Sequence, residues 1–447
     1  MVGGGAAGSE AAFTVADGGK SRILLAEANH FGGTCTNYGC VPTKALVRTA
    51  RLLHLIRGAG RYGIKVGAPE LEWRRAIGRA FQVRDHMLRF GSNPFKKAGV
   101  EVRFPCQAML VGERKLLIGG SEEVEATSVL IAAGMEPVVP PVPGLHEAGY
   151  LDNERILDLK ELPHRIAVIG SGPIGCEFAQ IFSRFGVQVT LVDLSARILP
   201  QEEPETSAAV RAAFEAEGIE IRTGIKMTSV EAANGMKRVF FESCASIEVD
   251  EILVAVGRSL DGEALGLHTA GIEWSNRGIK VNDQLRTSRP WAWAAGDVVG
   301  GPLFTHVASE MGHVAARNAL RGTADRLDLR IVPRVTFTDP EVASVGVTEA
   351  AAKKSGRKVR IGFARVVDAE KAQIDGLEYG HVKVVADAKT GELLGCHIVS
   401  ESAGDMIHEA VAMMAARTPV KVVAKAMHAY PTLSQLMRSA LNNASGA

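Results

Sequence analysis

The chain has 447 residues, more than one ordinary core organises, so two to four domains are expected. Apolar residues make up 46%, and 51 basic side chains nearly cancel 50 acidic ones for a net charge of +1, so nothing suggests a nucleic-acid footprint or a membrane-binding face. No uncharged apolar run reaches the roughly 18 residues of a membrane span, and the glycine-rich start lacks the basic opening of a secretory signal, so a cytoplasmic protein is expected.

The first predicted element is a loop. "MVGGGAAGSEAAF" gives Gly3, Gly5 and Gly8 the spacing G-x-G-x-x-G, ahead of small residues that can enter a helix. "RILLAE" follows as a buried-strand pattern ending in Glu27, 19 residues past Gly8. A dinucleotide-binding unit needs an acid there, to accept from a ribose diol. Side chains at the glycines would keep a pyrophosphate from the helix N-terminal amides. Only Met1 and Val2 precede the loop, where a strand of about five residues is usual; a start further upstream, or trimming, is therefore expected.

Next comes "HFGGTCTNYGCVPTK", residues 30 to 44, with Cys35 and Cys40. On a regular helix, positions i and i+5 lie about 7.5 Å apart along the axis and face different sides. A disulfide tolerates a Cα separation of roughly 4.4–6.8 Å. Bridging the two cysteines thus requires an irregular turn, for which Gly39 supplies the freedom. So short a loop is a poor structural cross-link but suits a bond that opens and closes. Helix amides and Lys44 would favour the thiolate. A zinc site, which would lack its second ligand pair, and chance are the alternatives; redox use is favoured. Cys106, Cys176, Cys244 and Cys396 are scattered singly and read as small apolar filler.

The plan repeats in "RIAVIGSGPIGCEFAQIFSRFGVQVTLVD", from Arg165 to Asp193. Here a full strand (Ile166 to Ile169) leads into Gly170, Gly172 and Gly175, an apolar-spaced helix and a second strand ending in Asp193, 18 beyond Gly175. Two such units imply two dinucleotides. A carboxylate at 193 repels a ribose 2′-phosphate, so NADH should be preferred to NADPH, although Arg197 is close in sequence.

"GGTCTNYGCVPTKAL" resembles the G-G-x-C-x-x-x-x-G-C-x-P-[ST]-K signature of the class I pyridine nucleotide–disulfide oxidoreductases, which include dihydrolipoamide dehydrogenase, glutathione reductase and mercuric reductase. The resemblance runs on through "VLIAAGMEP" (129 to 137), "ILVAVGRSLD" (252 to 261), "TSRPWAWAAGDV" (287 to 298), "FTDPEVASVGVTEAAA" (337 to 352) and "GELLGCHIVSESAGDMIHEA" (391 to 410). It implies an α/β fold of two Rossmann-like domains, one for FAD and one for NAD(P)H, with a C-terminal α+β dimerisation domain. The FAD domain would be split over 1–148 and 263–332, around an NAD(P)-binding domain at 149–262, with the interface domain at 333–447. Cofactor contacts would come from the glycines and acids of the two loops, and from Gly33, Thr34, Lys44, Gly134, Gly257, Gly296 and Asp297.

The mechanism so implied is a relay in which NADH reduces FAD and FAD reduces the Cys35–Cys40 disulfide. Cys40 would be the thiolate beside the flavin and Cys35 the thiol that meets substrate. Lys44 would lie near the flavin and pair with Glu177, since a buried cation needs a partner. A homodimer with a shared site, a small-molecule acceptor, no resident metal, and no nucleic-acid or membrane partner complete the expectation.

The last predicted segment departs from the family. Its relatives end in H-P-T-x-x-E, a histidine acid–base oriented by a glutamate, whereas "AMHAYPTLSQLMRSA" carries Tyr430 and Gln435 at those places. A phenol with a pKa near ~10 is a far weaker base than imidazole at neutral pH. His428, two residues earlier, would sit ~6.6 Å away in an extended segment and reads as structural, as do His397 and His408. Losing the dyad should slow turnover of lipoamide or glutathione about 10²- to 10⁴-fold. An acceptor that needs no proton shuttle, such as a soft metal ion on the thiolates, would suffer less. Against a mercuric-reductase assignment, the tail "LNNASGA" has no cysteine pair. Dihydrolipoamide dehydrogenase proper, a quinone or electrophile reductase, and a slow redox sensor remain alternatives.

Overall fold

The computed structural model describes residues 1–19, 21–233 and 235–446, so Ala447, the last residue of the expected interface domain, lies outside it. The chain divides into two compact units.

The first unit holds residues 1–45, 75–138 and 257–328. Its parallel sheet pairs Ile23–Ala26 with Val100–Arg103, and Val129–Ile131 with Ala292–Ala294. Val2 bridges Ala26 on one side and Ile131 on the other, so it stands between the two strand pairs. Its N–H donates to the Leu130 carbonyl at 2.9 Å and the Gly3 N–H to that of Ala26 at 2.8 Å. Val2, Ala26, Val129, Ile131, Ala292 and Ala294 form one buried apolar layer, as expected where helices cover both faces of a parallel sheet. Helix α1 (Ala6–Asp17) follows the first loop and packs closely on the helix Thr305–Arg321. That approach needs Gly312, whose added Cβ would lie 2.2 Å from the Ala7 carbonyl oxygen.

The second unit holds residues 46–74, 139–256 and 329–447. Within it, a four-stranded parallel sheet runs in the order Glu220–Thr223, Gln188–Asp193, Arg165–Ile169, Glu251–Val254. The C-terminal part forms a five-stranded antiparallel sheet whose central strand, Leu393–Ser400, is buried along its whole length. Helices Ala403–Ala415 and Ser434–Ser445 pack their apolar faces into the same core as Val382, Val384 and Ile398. No helix among the described residues is long and apolar enough to cross a membrane.

Candidate active site

The two glycine loops are built alike. Gly3 (φ +101°) and Gly170 (φ +105°) take a backbone conformation that residues with a Cβ rarely adopt, and each sits under the chain leaving a neighbouring strand. An added Cβ would lie 2.3 Å from the Ala132 oxygen in the first loop and 2.4 Å from the Ala255 oxygen in the second. At Gly8 and Gly175 a Cβ would lie 1.9 and 1.8 Å from the carbonyl oxygens of Gly3 and Gly170. Gly5 and Gly172 end the loops as N-caps of α1 and of the helix Pro173–Arg184, with no side chain capping either helix. Both helices therefore present unsatisfied amides and the positive end of their dipole, which is what a pyrophosphate requires. Gly134, Gly172 and Gly257 all leave open space where a Cβ would stand.

The acids at the strand ends differ. Glu27 is 8% exposed; its Oε2 accepts from the Gly4 N–H at 2.6 Å, and its Oε1 from the Asn29 and His30 N–H groups at 2.7 and 3.0 Å. It thus anchors its own loop, with capacity left for one further donor. Asp193 Oδ2 accepts from the Ser171 amide and hydroxyl at 2.5 and 2.7 Å, and its Oδ1 from the Ser195 N–H at 2.6 Å. Burial opposes the Asp193 charge, but these donors outweigh it and hold the carboxyl below its usual range. Ser171 carries no sequence signal for this part. Arg197, the nearby cation, is turned to the Pro200 and Glu202 carbonyl oxygens at 2.9 and 2.8 Å. Asp297 begins a short turn after Gly296; burial raises its pKa and Arg258 acts against that rise.

Between the cysteines the helix breaks. Cys35 lies in α2 (Gly33–Asn37), and Cys40 opens α3 (Cys40–Arg57). Tyr38 leaves helical geometry at φ −134°, ψ −6°, with its N–H still donating to the Thr34 oxygen at 2.9 Å. The irregular turn is present, but the role of Gly39 is corrected. Its φ is not in the left-handed region; what matters is space, since a Cβ there would come 3.0 Å from the Thr34 oxygen and 3.4 Å from the Cys35 Cα. Gly33 places α2 against the first glycine loop, where its own Cβ would stand 2.9 Å from the Gly5 Cα. Buried Asn37 ties α2 down by donating to the Phe31 and Gly33 oxygens, both at 2.9 Å.

Cys35 and Cys40 stand as thiols in hydrogen-bonding contact. That bond is the largest cause pushing the Cys35 thiol pKa up, burial adds to it, and the Thr305 hydroxyl and Lys44 pull the other way. Cys40 Sγ also lies 3.8 Å from Thr305 Oγ1, a neighbour that sequence reasoning missed. Lys44 stands one helical turn beyond Cys40 on α3.

In the second unit Glu177 is 3% exposed, and its Oε1 accepts from the Phe337 N–H at 2.9 Å. Tyr430 is 68% exposed, so its phenol is open for contact. Gln435 donates its amide to the Ala429 oxygen at 3.3 Å, steadying the turn just before Tyr430. His428 Nε2 lies 3.0 Å from Glu409 Oε1 and Nδ1 lies 3.2 Å from the Ala426 oxygen, two acceptors of which the neutral ring can donate to one. Among the described residues no group of three or more His, Cys, Asp or Glu side chains gathers as a metal site.

Comparison with known proteins matches residues 1–312 to the pyridine nucleotide-disulphide oxidoreductase family and residues 332–441 to the dimerisation domain of such proteins. A mercuric reductase of Bacillus cereus is 35% identical over 445 residues, 98% of this chain and 70% of that protein. A dihydrolipoyl dehydrogenase of Bacillus subtilis is 33% identical over 449 residues, 99% of this chain and 97% of that one. Among solved structures, the Cu(II) complex of RclA, an HOCl-induced flavoprotein disulfide reductase from Escherichia coli, matches with a TM-score of 0.87 at 28% identity, covering 99% of this chain and 98% of that one.

Proposed function

This chain belongs to the pyridine nucleotide-disulfide oxidoreductase family, whose members of this type use FAD and NAD(P)H, and on that premise we propose that it passes electrons from NADH through FAD to Cys35–Cys40 and on to an acceptor bound directly by the thiolates. The observation that carries the reading is the cysteine pair: two thiols in hydrogen-bonding contact across a helix break, on a segment pressed against the first glycine loop.

The residues fit both nucleotides. Residues 1–148 and 263–332 would hold FAD, with its pyrophosphate at the Gly3–Gly8 loop and the α1 amides, and bound FAD would supply the electron relay between NADH and the cysteines. Residues 149–262 would hold NADH, with the Asp193 carboxylate accepting from the adenosine ribose diol. Arg197 directs its Nη2 at the Pro200 and Glu202 carbonyl oxygens. Opening the disulfide takes two electrons and two protons, one of each proton pair arriving with NADH and the other from solvent. Closing it returns two electrons to the acceptor and releases two protons.

Which acceptor follows from the last segment. Tyr430 and Gln435 supply neither a neutral-pH base nor its counter-charge, and His428 is directed at Glu409 and the Ala426 oxygen. A soft metal ion needs no such base, because thiolate sulfurs ligate it directly; mercuric reductases and a copper-bound RclA are among the similar proteins. We propose a thiophilic metal ion as acceptor, on a homodimer in which residues 333–447 supply the interface.

The test is steady-state NADH oxidation with Hg(II), Cu(II), lipoamide, quinones and small disulfides in parallel, for the wild type and Cys40→Ser. Metal-dependent turnover lost in Cys40→Ser is expected. Fast lipoamide turnover would overturn the acceptor assignment, and undiminished turnover in Cys40→Ser the relay itself. Light scattering giving a monomer would remove the dimer.

A further inference from the structure

The two glycine loops repeat the same bonds around their acids. In the first, the Gly4 N–H donates to Glu27 Oε2 at 2.6 Å, and the hydroxyl of Ser9, next after Gly8, donates to the Gly4 oxygen at 3.0 Å. In the second, the Ser171 N–H donates to Asp193 Oδ2 at 2.5 Å, and the thiol of Cys176, next after Gly175, donates to the Ser171 oxygen at 3.3 Å. What the second loop adds is a side chain at its middle residue. At Gly4 none fits, since a Cβ would stand 3.0 Å from two carbons of the Phe31 ring. Ser171 is fully buried, and its hydroxyl donates to Asp193 Oδ2 at 2.7 Å.

Three donors hold each acid. Around Glu27 all three are backbone amides, of Gly4, Asn29 and His30. Around Asp193 two are amides, of Ser171 and Ser195, and the third is the Ser171 hydroxyl. A carboxylate offers about four lone pairs. Ser171 takes two on Oδ2 and the Ser195 N–H one on Oδ1, so the remaining acceptor position of Asp193 lies on Oδ1. Burial is the largest influence on this carboxyl and opposes its charge; the Ser171 hydroxyl leads the donors that hold it ionised. The Ser171 oxygen also accepts from the Leu199 N–H at 2.9 Å, which ties down the turn after Asp193.

We propose that Ser171 is a positioning residue for nucleotide choice: its hydroxyl pins Asp193 Oδ2, so that the carboxylate keeps its charge and presents Oδ1 to one hydroxyl of the adenosine ribose of NADH. This rests on the reading of residues 149–262 as the NADH-binding part, and it names the group that makes Asp193 selective. A charge-assisted hydrogen bond fixes the oxygen that receives it more firmly than a neutral one would. The fixed carboxylate then accepts from a ribose hydroxyl and repels a 2′-phosphate at the same place. Released on one oxygen, it can swing aside, which weakens the first effect and relieves the second.

The experiment titrates the oxidised holoenzyme with NAD⁺ and NADP⁺ by calorimetry at neutral pH, so that binding is read without turnover. Wild type is compared with Ser171→Ala, Asp193→Asn and the double variant. Ser171→Ala keeps the amide donor and loses the hydroxyl; the ratio of Kd for NADP⁺ over Kd for NAD⁺ should fall about fivefold, with NAD⁺ weakened. Asp193→Asn should lower the ratio about tenfold or more. Adding Ser171→Ala to Asp193→Asn should then move it by less than about twofold, because a residue that acts through a charge has nothing to act on once the charge is gone. Equal weakening of both nucleotides in Ser171→Ala marks a loosened loop and overturns the inference. A further full fall in the double variant overturns it too. An unmoved ratio in Ser171→Ala beside a lowered one in Asp193→Asn sinks the inference and leaves the ribose reading standing. An unmoved ratio in Asp193→Asn sinks that reading and the inference with it.

Discussion

At residue scale, the contrast between Glu27 and Asp193 shows how one sequence feature serves two environments. Both close a G-x-G-x-x-G unit, yet Glu27 is largely occupied by three backbone amides while Asp193 is held ionised by Ser171 and Ser195. Asp193→Asn should therefore act on nucleotide choice: it keeps an acceptor for the Ser171 amide but removes the charge that repels a 2′-phosphate. The ratio of kcat/KM for NADH over NADPH should fall by about tenfold or more, as expected for a lost charge-assisted hydrogen bond. An unchanged ratio in steady-state assays would refute the role of Asp193. Asp193 was legible because the spacing from loop to strand end is fixed by the unit itself. Thr305 was not, since 265 positions separate it from Cys40 and a threonine opening a helix carries no redox signature. Gly39 was legible as a glycine, but its reason was not: the sequence cannot tell a need for φ from a need for space.

At element scale the two loops share a steric demand, and the proposal that they serve different nucleotides makes them separable. Gly8→Ala and Gly175→Ala each drive a methyl group to within 2 Å of a carbonyl oxygen in the same loop, so the loop must deform. Gly8→Ala should yield protein with flavin absorbance per chain reduced at least about tenfold, because the pyrophosphate cradle opens. Gly175→Ala should keep its flavin and instead raise the KM for NADH by a similar factor. Flavin loss in both variants, or in neither, would show that the loops do not divide the work this way. The repeat was readable because strand, glycines, helix and acid recur in order. The neighbours of Val2 were not: Ala26 and Ile131 pair with it from either side, a fact of sheet assembly rather than of local pattern.

At the scale of the whole molecule, stability should follow a buried charge cluster in the second unit that a β-rich run such as "HVKVVAD" does nothing to announce. Lys383, 2% exposed, is bound by Glu203 at 3.1 Å and by Glu205 and Glu349 at 2.9 Å each. Burial alone would lower its pKa; the three carboxylates outweigh that and hold the ammonium charged. Nearby, Arg334 forks onto Glu202 at 2.6 and 3.1 Å, and Glu202 is lowered to about 2 despite burial. His381 goes the other way, lowered to about 4 chiefly by burial. A histidine depressed from 6.5 to about 4 contributes stability that is full above pH 6.5 and lost as pH falls toward 4, about 3 kcal/mol in all. Glu202 extends the loss from about 4.5 down toward 2. Thermal melts should thus decline from pH 6.5 downward, with the upper part of that decline flattened in His381→Asn. The cluster itself is tested by Lys383→Met, which strands Glu203 at 2% exposure and should cost about 3–5 kcal/mol. Adding Glu203→Gln should recover part of it, because the amide oxygen can still accept from the Glu349 N–H, 2.6 Å from Glu203 Oε1, while the stranded charge is gone. If the double variant melts no higher than Lys383→Met alone, the loss lies in packing around the lysine stem and not in an unpaired buried carboxylate.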